Sequence, residues 1–484
     1  MKKNTKIMIG ISAAVVILGI VLTVILLMPS DANKTETETK DIILIDKTAL
    51  NVDDITVKNQ SGEYQILGYD YSGTLSSDET DQIPFVYTMQ GYEHTLMSKL
   101  MTDNLVSECK TVAATRIVDK SGKKYIDYGL DNPRAEVKVI YSDSSEAEMS
   151  FGNEAPDKSG TYCRIDGDKN VYLVNSGSID MFFMDKLQLF EKTLTGELSE
   201  TEDIAGIEIS GSGYEEPVIV TYEKNGIMNV TYAMASPFKE PCDSTKTVEF
   251  ATDFFDMKMS SVAAAEVGEN DIHQFGLAEP YMDITISTTE RELHILVSEM
   301  DENNNFYIMS KNGNIIYQTN EEEFKHYGAE YREFVSENLY SPEMMNVSAA
   351  KIEYQGKTYE YTIKREKVIN DLYEESINTT MYYNGETADY SNLLSFADSL
   401  SNILRTDEMP ENPDSFKEIF KITLDFENEN YTLSLCRDDK NKLLAAVDGN
   451  NECIVDADFV QAILDQTEKI PTEEPVETVT QESE

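Results

Sequence analysis

The chain has 484 residues, 40% of them hydrophobic, with 40 lysines and arginines against 89 aspartates and glutamates for a net charge of −49. That length accommodates roughly three domains of about 150 residues, and 27 tyrosines with 18 phenylalanines can fill their cores. So acidic a surface repels phosphate backbones and anionic headgroups, which argues against a nucleic-acid partner.

Lys2, Lys3 and Lys6 precede Ile7–Met28, a run of 22 residues without a charge. As a helix rising about 1.5 Å per residue, it is long enough for a hydrocarbon core of about 30 Å. The expectation is an uncleaved transmembrane helix that contacts the lipid bilayer through residues 7–28, its lysines cytoplasmic and the bulk of the chain extracytoplasmic. A cleaved signal peptide has a shorter apolar region and a small-residue cleavage site, which Ser30-Asp31-Ala32 imitates poorly. Residues 1–29 therefore read as cytoplasmic tip and membrane segment, and residues 30–45 as a polar stalk.

Three similar stretches follow. In residues 46–200, Ile55–Val57 and Tyr64–Ile66 alternate as a hairpin around Ser61-Gly62. Leu96, Leu100, Met101 and Leu105 recur at helical spacing, which predicts a helix over Glu93–Cys109. Val112-Ala113-Ala114 and Tyr128-Gly129-Leu130-Asp131-Asn132-Pro133 come next. Ala135–Tyr141, Ala147–Phe151, Tyr162–Ile165 and Val171–Val174 read as a four-strand antiparallel meander, and Ile179–Phe190 as a closing helix.

Residues 201–340 repeat the order. The hairpin is Ile207–Ile209 with Val218–Tyr222, and the helix Thr247–Met259. Val262-Ala263-Ala264 stands 150 residues after Val112-Ala113-Ala114, and Phe275–Pro280 stands 147 after Tyr128–Pro133. A closing helix begins at Glu321–Tyr327. Residues 341–470 form a divergent third unit with helices at Leu393–Leu404 and Asp458–Gln466, as a capping repeat would. Residues 471–484 are acidic and read as a disordered tail. The expected fold class is α+β: an N-terminal transmembrane helix, then tandem repeats of hairpin, helix, four-strand antiparallel meander and helix.

The structural signature is Gly129, Leu130 and Pro133, echoed by Gly276, Leu277 and Pro280. Glycine takes a positive φ where the chain turns, leucine enters a core, and proline holds the preceding residue extended at the mouth of a strand. The sharper alternative is a backbone pocket for an anion or peptide at the glycine.

These residues, with Tyr162-Cys163-Arg164, Val171–Val174 and the Asp185-Lys186 run leading to Ile204–Ile209, resemble the bacterial domain-of-unknown-function family DUF4340. The resemblance covers Tyr64–Ile209 best, Tyr232–Tyr327 less well and the third unit least. It implies a membrane-anchored, exported protein, with some relatives resembling accessory proteins of gliding-motility-type ABC transporters. It implies no catalytic residues.

A search for chemistry finds no convincing site. The histidines His94, His273, His294 and His326 show no ligand-pair spacing. Ser348-Ala349-Ala350-Lys351 matches the S-x-x-K of penicillin-binding enzymes, but Lys351 enters a strand. Cys163-Arg164 lies within a strand. Asp166–Asn170 has calcium-like oxygens without the glycine and acid that an EF-hand loop needs. Of the five cysteines, Cys436 and Cys453 lie on neighbouring predicted strands, which makes a disulfide between them geometrically possible, and buried free thiols are the expected state. Catalytic residues, cofactors and metals are therefore expected to be none. The expected function is a non-catalytic binding or scaffolding accessory of a membrane complex, such as ABC transporter subunits or other envelope proteins. A cell-envelope hydrolase or an extracytoplasmic ligand-binding sensor is the alternative.

Overall fold

A computed structural model describes residues 41–70, 85–223, 226–369 and 375–480. The described residues form two compact units, one running to Gln90 and resuming over Leu100–Lys186, the other made of Gly91–Lys99 and the chain from Leu187 onward.

The first unit is built on one nine-stranded sheet. Its strands run in the spatial order Ile42–Asp46, Thr111–Asp119, Val171–Val174, Thr161–Ile165, Glu146–Glu154, Ala135–Tyr141, Val52–Asn59, Gly62–Asp70 and Phe85–Met89. Every pairing is antiparallel. The period-two pattern explains which face is covered: along Ala135–Tyr141, residues Ala135, Val137, Val139 and Tyr141 are buried while Glu136 is exposed. A helix over Lys99–Lys110 buries Leu105, Val106 and Cys109. The Tyr141 hydroxyl donates to the Cys109 carbonyl at 2.8 Å, satisfying an acceptor left free in the last helical turn.

The second unit holds two sheets. The nine-stranded one repeats the first arrangement: the hairpin strand Ile204–Ser210 pairs with Met282–Thr288, the first strand of the meander. In the eight-stranded sheet Ala349–Tyr354 pairs in the same way with Lys417–Asp425. The motif common to all three is a hairpin whose first strand lies beside the first strand of a four-strand meander. In the first two sheets one further strand, Thr111–Asp119 or Ser261–Ala265, pairs with the last meander strand; it is the edge of the second sheet, whereas Ile42–Asp46 lies outside it in the first. These strands contain the two Val-Ala-Ala landmarks.

The helix-rich α+β expectation is corrected: the architecture is mainly antiparallel β-sheet, with few and short helices. The predicted helix at Glu93 starts only at Lys99, because Leu96–Ser98 is drawn into an extended pairing with Leu189–Glu191. Leu96 and Leu100 are about 70% exposed, so they do not form the buried helical face that their spacing suggests. The expected helix at Ile179–Phe190 is replaced by two short 3-10 turns, Asp180–Phe183 and Lys186–Leu189. Asn59 Nδ2 donates to the carbonyls of Phe182 and Met184, at 3.1 and 2.8 Å, and so takes acceptors that a continuing helix would use. The expected helix at Glu321–Tyr327 is likewise absent, replaced by two turns over residues 321–323 and 325–328. Only the third sheet keeps its closing helix, Ala457–Leu464.

The expected transmembrane helix over residues 7–28 lies outside the described residues. Among the described residues, no helix is long and apolar enough to cross a membrane.

The expected disordered tail is packed over its described part. Asn392 Nδ2 donates to the carbonyls of Thr472 and Glu474, its Oδ1 accepts from the Val476 amide, and Val476 is buried against the third core.

Candidate functional site

Gly129 and Gly276 do the same local work. Gly129, at φ +68°, caps the 3-10 turn Tyr125–Tyr128, and Gly276, at φ +70°, follows the short helix Glu269–Gln274. In each repeat the next amide reaches back five residues, Leu130 N to Tyr125 O at 3.0 Å and Leu277 N to Ile272 O at 2.8 Å. Leu130 and Leu277 are buried. Pro133 and Pro280 then deliver the chain to the first meander strand.

In the second repeat this entry point helps to build a cleft. The hairpin loop after Ser210 lies directly on the Pro280–Tyr281 backbone. Ser212 N donates to Pro280 O at 2.9 Å and Gly213 N to Tyr281 O at 3.1 Å. A Cβ on Gly211 would stand 2.5 Å from Tyr281 O, so only glycine permits this approach. Beyond the loop, the Tyr214 hydroxyl donates to Ala329 O at 2.8 Å, tying the hairpin to the segment after the last meander strand.

The result is a cleft of about 580 Å³ walled by Tyr214, Tyr281, Tyr331, Phe238, Pro237 and Val218, with Glu215, Glu216 and Glu330 also lining it. Its rings are fixed from behind. Tyr281 stacks face to face on Tyr327, centroids 4.9 Å apart and planes 6° from parallel, and the Tyr327 hydroxyl accepts from the Met300 amide at 2.9 Å. Phe238 meets Tyr331 edge to face at 5.6 Å. Burial, together with Tyr281, Glu333 and Glu330, pushes the Tyr214 hydroxyl above its ordinary range. Among the described residues lining the cleft none is basic. Arg332 lies beside it, its guanidinium carbon 5.5 Å from the Tyr331 ring centre.

Two further clusters carry unusual electrostatics. Arg405 reaches Glu240 Oε2 at 2.6 Å and Glu452 Oε2 at 2.5 Å, and both carboxylates are almost fully buried. Burial pushes the Glu240 carboxyl up to about 8; Arg405 opposes this and Glu452 adds to it. Glu240 Oε1 has no hydrogen-bond partner. In the first unit, burial raises the Glu108 carboxyl to about 8, assisted by a hydrogen bond and charge repulsion from Asp180. Sequence reading missed both. The partners of Arg405 lie 165 and 47 residues away, and no local pattern marks them.

Ser348 and Lys351 have separate partners. Ser348 Oγ donates to the Asp425 carbonyl while Lys351 pairs with Glu353. All five cysteines are free thiols. Cys436 and Cys453 are not on adjacent strands, because Leu443–Val447 runs between them. Among the described residues no cluster of three or more His, Cys, Asp or Glu has the arrangement of a metal site.

No curated protein and no solved structure gives a match. The family described as "Domain of unknown function (DUF4340)" matches residues 99–267 and 233–415. The first stretch begins at the helix Lys99–Lys110 and the second inside the strand Tyr232–Ser236, and each runs past the hairpin of the next repeat into or beyond its helix. Together they span residues 99–415 of 484, and the chain belongs to the DUF4340 family.

Proposed function

We propose that this chain is a membrane-anchored, extracytoplasmic, non-catalytic binding protein that serves as an accessory of a membrane complex such as an ABC transporter. The uncharged run of residues 7–28 behind three lysines supports attachment to the bilayer, with the repeats outside the cytoplasm. The observation that carries the binding reading is the cleft of the second repeat. Its aromatic rings are braced from behind yet half-exposed, and its shape is set by backbone contacts at the Pro280–Tyr281 entry. Rigid rings at the end of a sheet are suited to recognition, because little side-chain freedom is lost on contact.

The test is affinity purification of the tagged full-length protein from membranes in mild detergent, with mass spectrometry of what accompanies it. Transporter membrane and ATPase subunits are expected in stoichiometric amounts. Recovery of the protein alone would overturn the accessory reading.

A second reading, a cell-envelope hydrolase, draws on the Glu108–Asp180 pair, since a carboxylic acid still protonated near neutral pH is suited to general acid catalysis. Hydrolysis of an envelope polymer by the wild type and its loss in Glu108→Gln would favour it.

A further inference from the structure

We infer that the cleft of the second repeat binds an organic ammonium group, seated against its rings and balanced by Glu215, Glu216 and Glu330. This deepens the binding reading above by naming the ligand chemistry.

Three observations converge. Four aromatic rings, Tyr214, Tyr281, Tyr331 and Phe238, line the cleft, and an aromatic ring attracts a cation through its quadrupole. The charged lining residues are all carboxylates, which give a cation its counter-charge, and beside the cleft the Arg332 guanidinium carbon already lies 5.5 Å from the Tyr331 ring centre, a cation on one of these rings. A volume of about 580 Å³ suits a small ligand or one long side chain rather than a bare metal ion.

The first repeat supplies an internal precedent. Arg134 follows Pro133 just as Tyr281 follows Pro280. The Arg134 guanidinium carbon lies 4.8 Å from the Phe183 ring centre, and its Nη1 lies 3.8 Å from Glu154 Oε1. The first repeat therefore places its own cation between an aromatic ring and a carboxylate. The second repeat puts Tyr281 on Tyr327 at this position instead and leaves an aromatic and acidic cleft open beside it.

The test uses the full-length protein in mild detergent and isothermal titration with three probes: choline, its uncharged isostere 3,3-dimethyl-1-butanol, and a blocked trilysine peptide. At least one of the two ammonium probes is expected to bind about tenfold or more tightly than the uncharged isostere. Tighter choline binding would identify a small-molecule source, and tighter peptide binding a lysine side chain. Tyr281→Arg installs the first repeat's cation and is expected to abolish binding. Should that variant fold poorly, the triple change Glu215→Gln, Glu216→Gln, Glu330→Gln alters only exposed carboxylates and is expected to weaken ammonium binding at least severalfold. Failure of both ammonium probes to bind at millimolar concentration, or equal binding of the uncharged isostere, would overturn the inference. Neither result bears on co-purification of membrane partners, so the two readings fail separately.

Discussion

Arg405 Nη2 stands 2.6 Å from Glu240 Oε2, joining the edge of the second-repeat sheet to a residue that also holds Glu452 on the last strand of the third. One guanidinium neutralises only one of two buried carboxylates. Keeping the second one neutral therefore depends on protonation, and the join between the two sheets depends on pH.

The direction of that dependence follows from Glu240. Its folded value, about 8, exceeds the ordinary 4.5. Its contribution is fully present below about 4.5 and is lost as pH rises through about 8, because the folded state holds a proton that the unfolded state has released. The melting temperature of the wild type is expected to fall relative to Glu240→Gln between about pH 5 and about pH 9. Parallel curves for the two proteins in calorimetry would contradict this. Arg405→Ala leaves both carboxylates uncompensated and should cost about 3–5 kcal/mol in denaturant unfolding.

Glu108 behaves in the same sense. Its carboxyl stands at about 8 against an ordinary 4.5, with burial the larger cause and Asp180 the next. Asp180→Asn removes the neighbouring charge but not the burial. The Glu108 titration, followed by carbon-13 NMR of the carboxyl, is expected to move down yet remain above 4.5. A Glu108 titration unchanged by Asp180→Asn would show that Asp180 does not contribute to raising it.

Gly129 and Gly276 have nearly the same φ but different surroundings. A Cβ at Gly129 would meet the Asn153 side chain at 2.7 Å, whereas at Gly276 the nearest atom is Ser298 Cβ at 3.6 Å. Gly276→Ala should cost about 1–2 kcal/mol from the left-handed backbone alone. Gly129→Ala should cost more, because Asn153 must also move. Urea unfolding of the two variants gives the comparison, and equal losses would mean that Asn153 yields freely.

Asn392 makes three hydrogen bonds to the backbone of residues 472–476 and is itself 4% exposed. Asn392→Ala should destabilise the full chain by about 2 kcal/mol, since each such bond contributes about 1 kcal/mol and buried groups lose partners. In a chain ending at Pro471 the same substitution should cost much less, because its partners are gone. Additive losses would show that the tail and Asn392 act independently.

The repeat was legible in the sequence because its landmarks are local. The period-two runs, the Val-Ala-Ala strands and the Gly-Leu-x-x-Pro cap each obey rules that operate over a few residues. The four-strand meanders read from those runs are present in all three sheets. The helices were less legible for an equally local reason: spacing at Leu96 and Leu100 resembles an amphipathic face whether or not anything covers it. Pairing of Leu96–Ser98 with Leu189–Glu191, more than ninety positions on, decided the matter instead.

The sequence by itself determined the antiparallel repeat, its period and its turn chemistry, because hydrophobic alternation and glycine or proline backbone preferences act between neighbours. Only the tertiary structure decided where helices stop, which acids are buried with Arg405, and that Tyr214, Phe238, Tyr281 and Tyr331 face one cleft. Those outcomes depend on contacts among segments tens to more than a hundred residues apart, where burial and electrostatics override local preference.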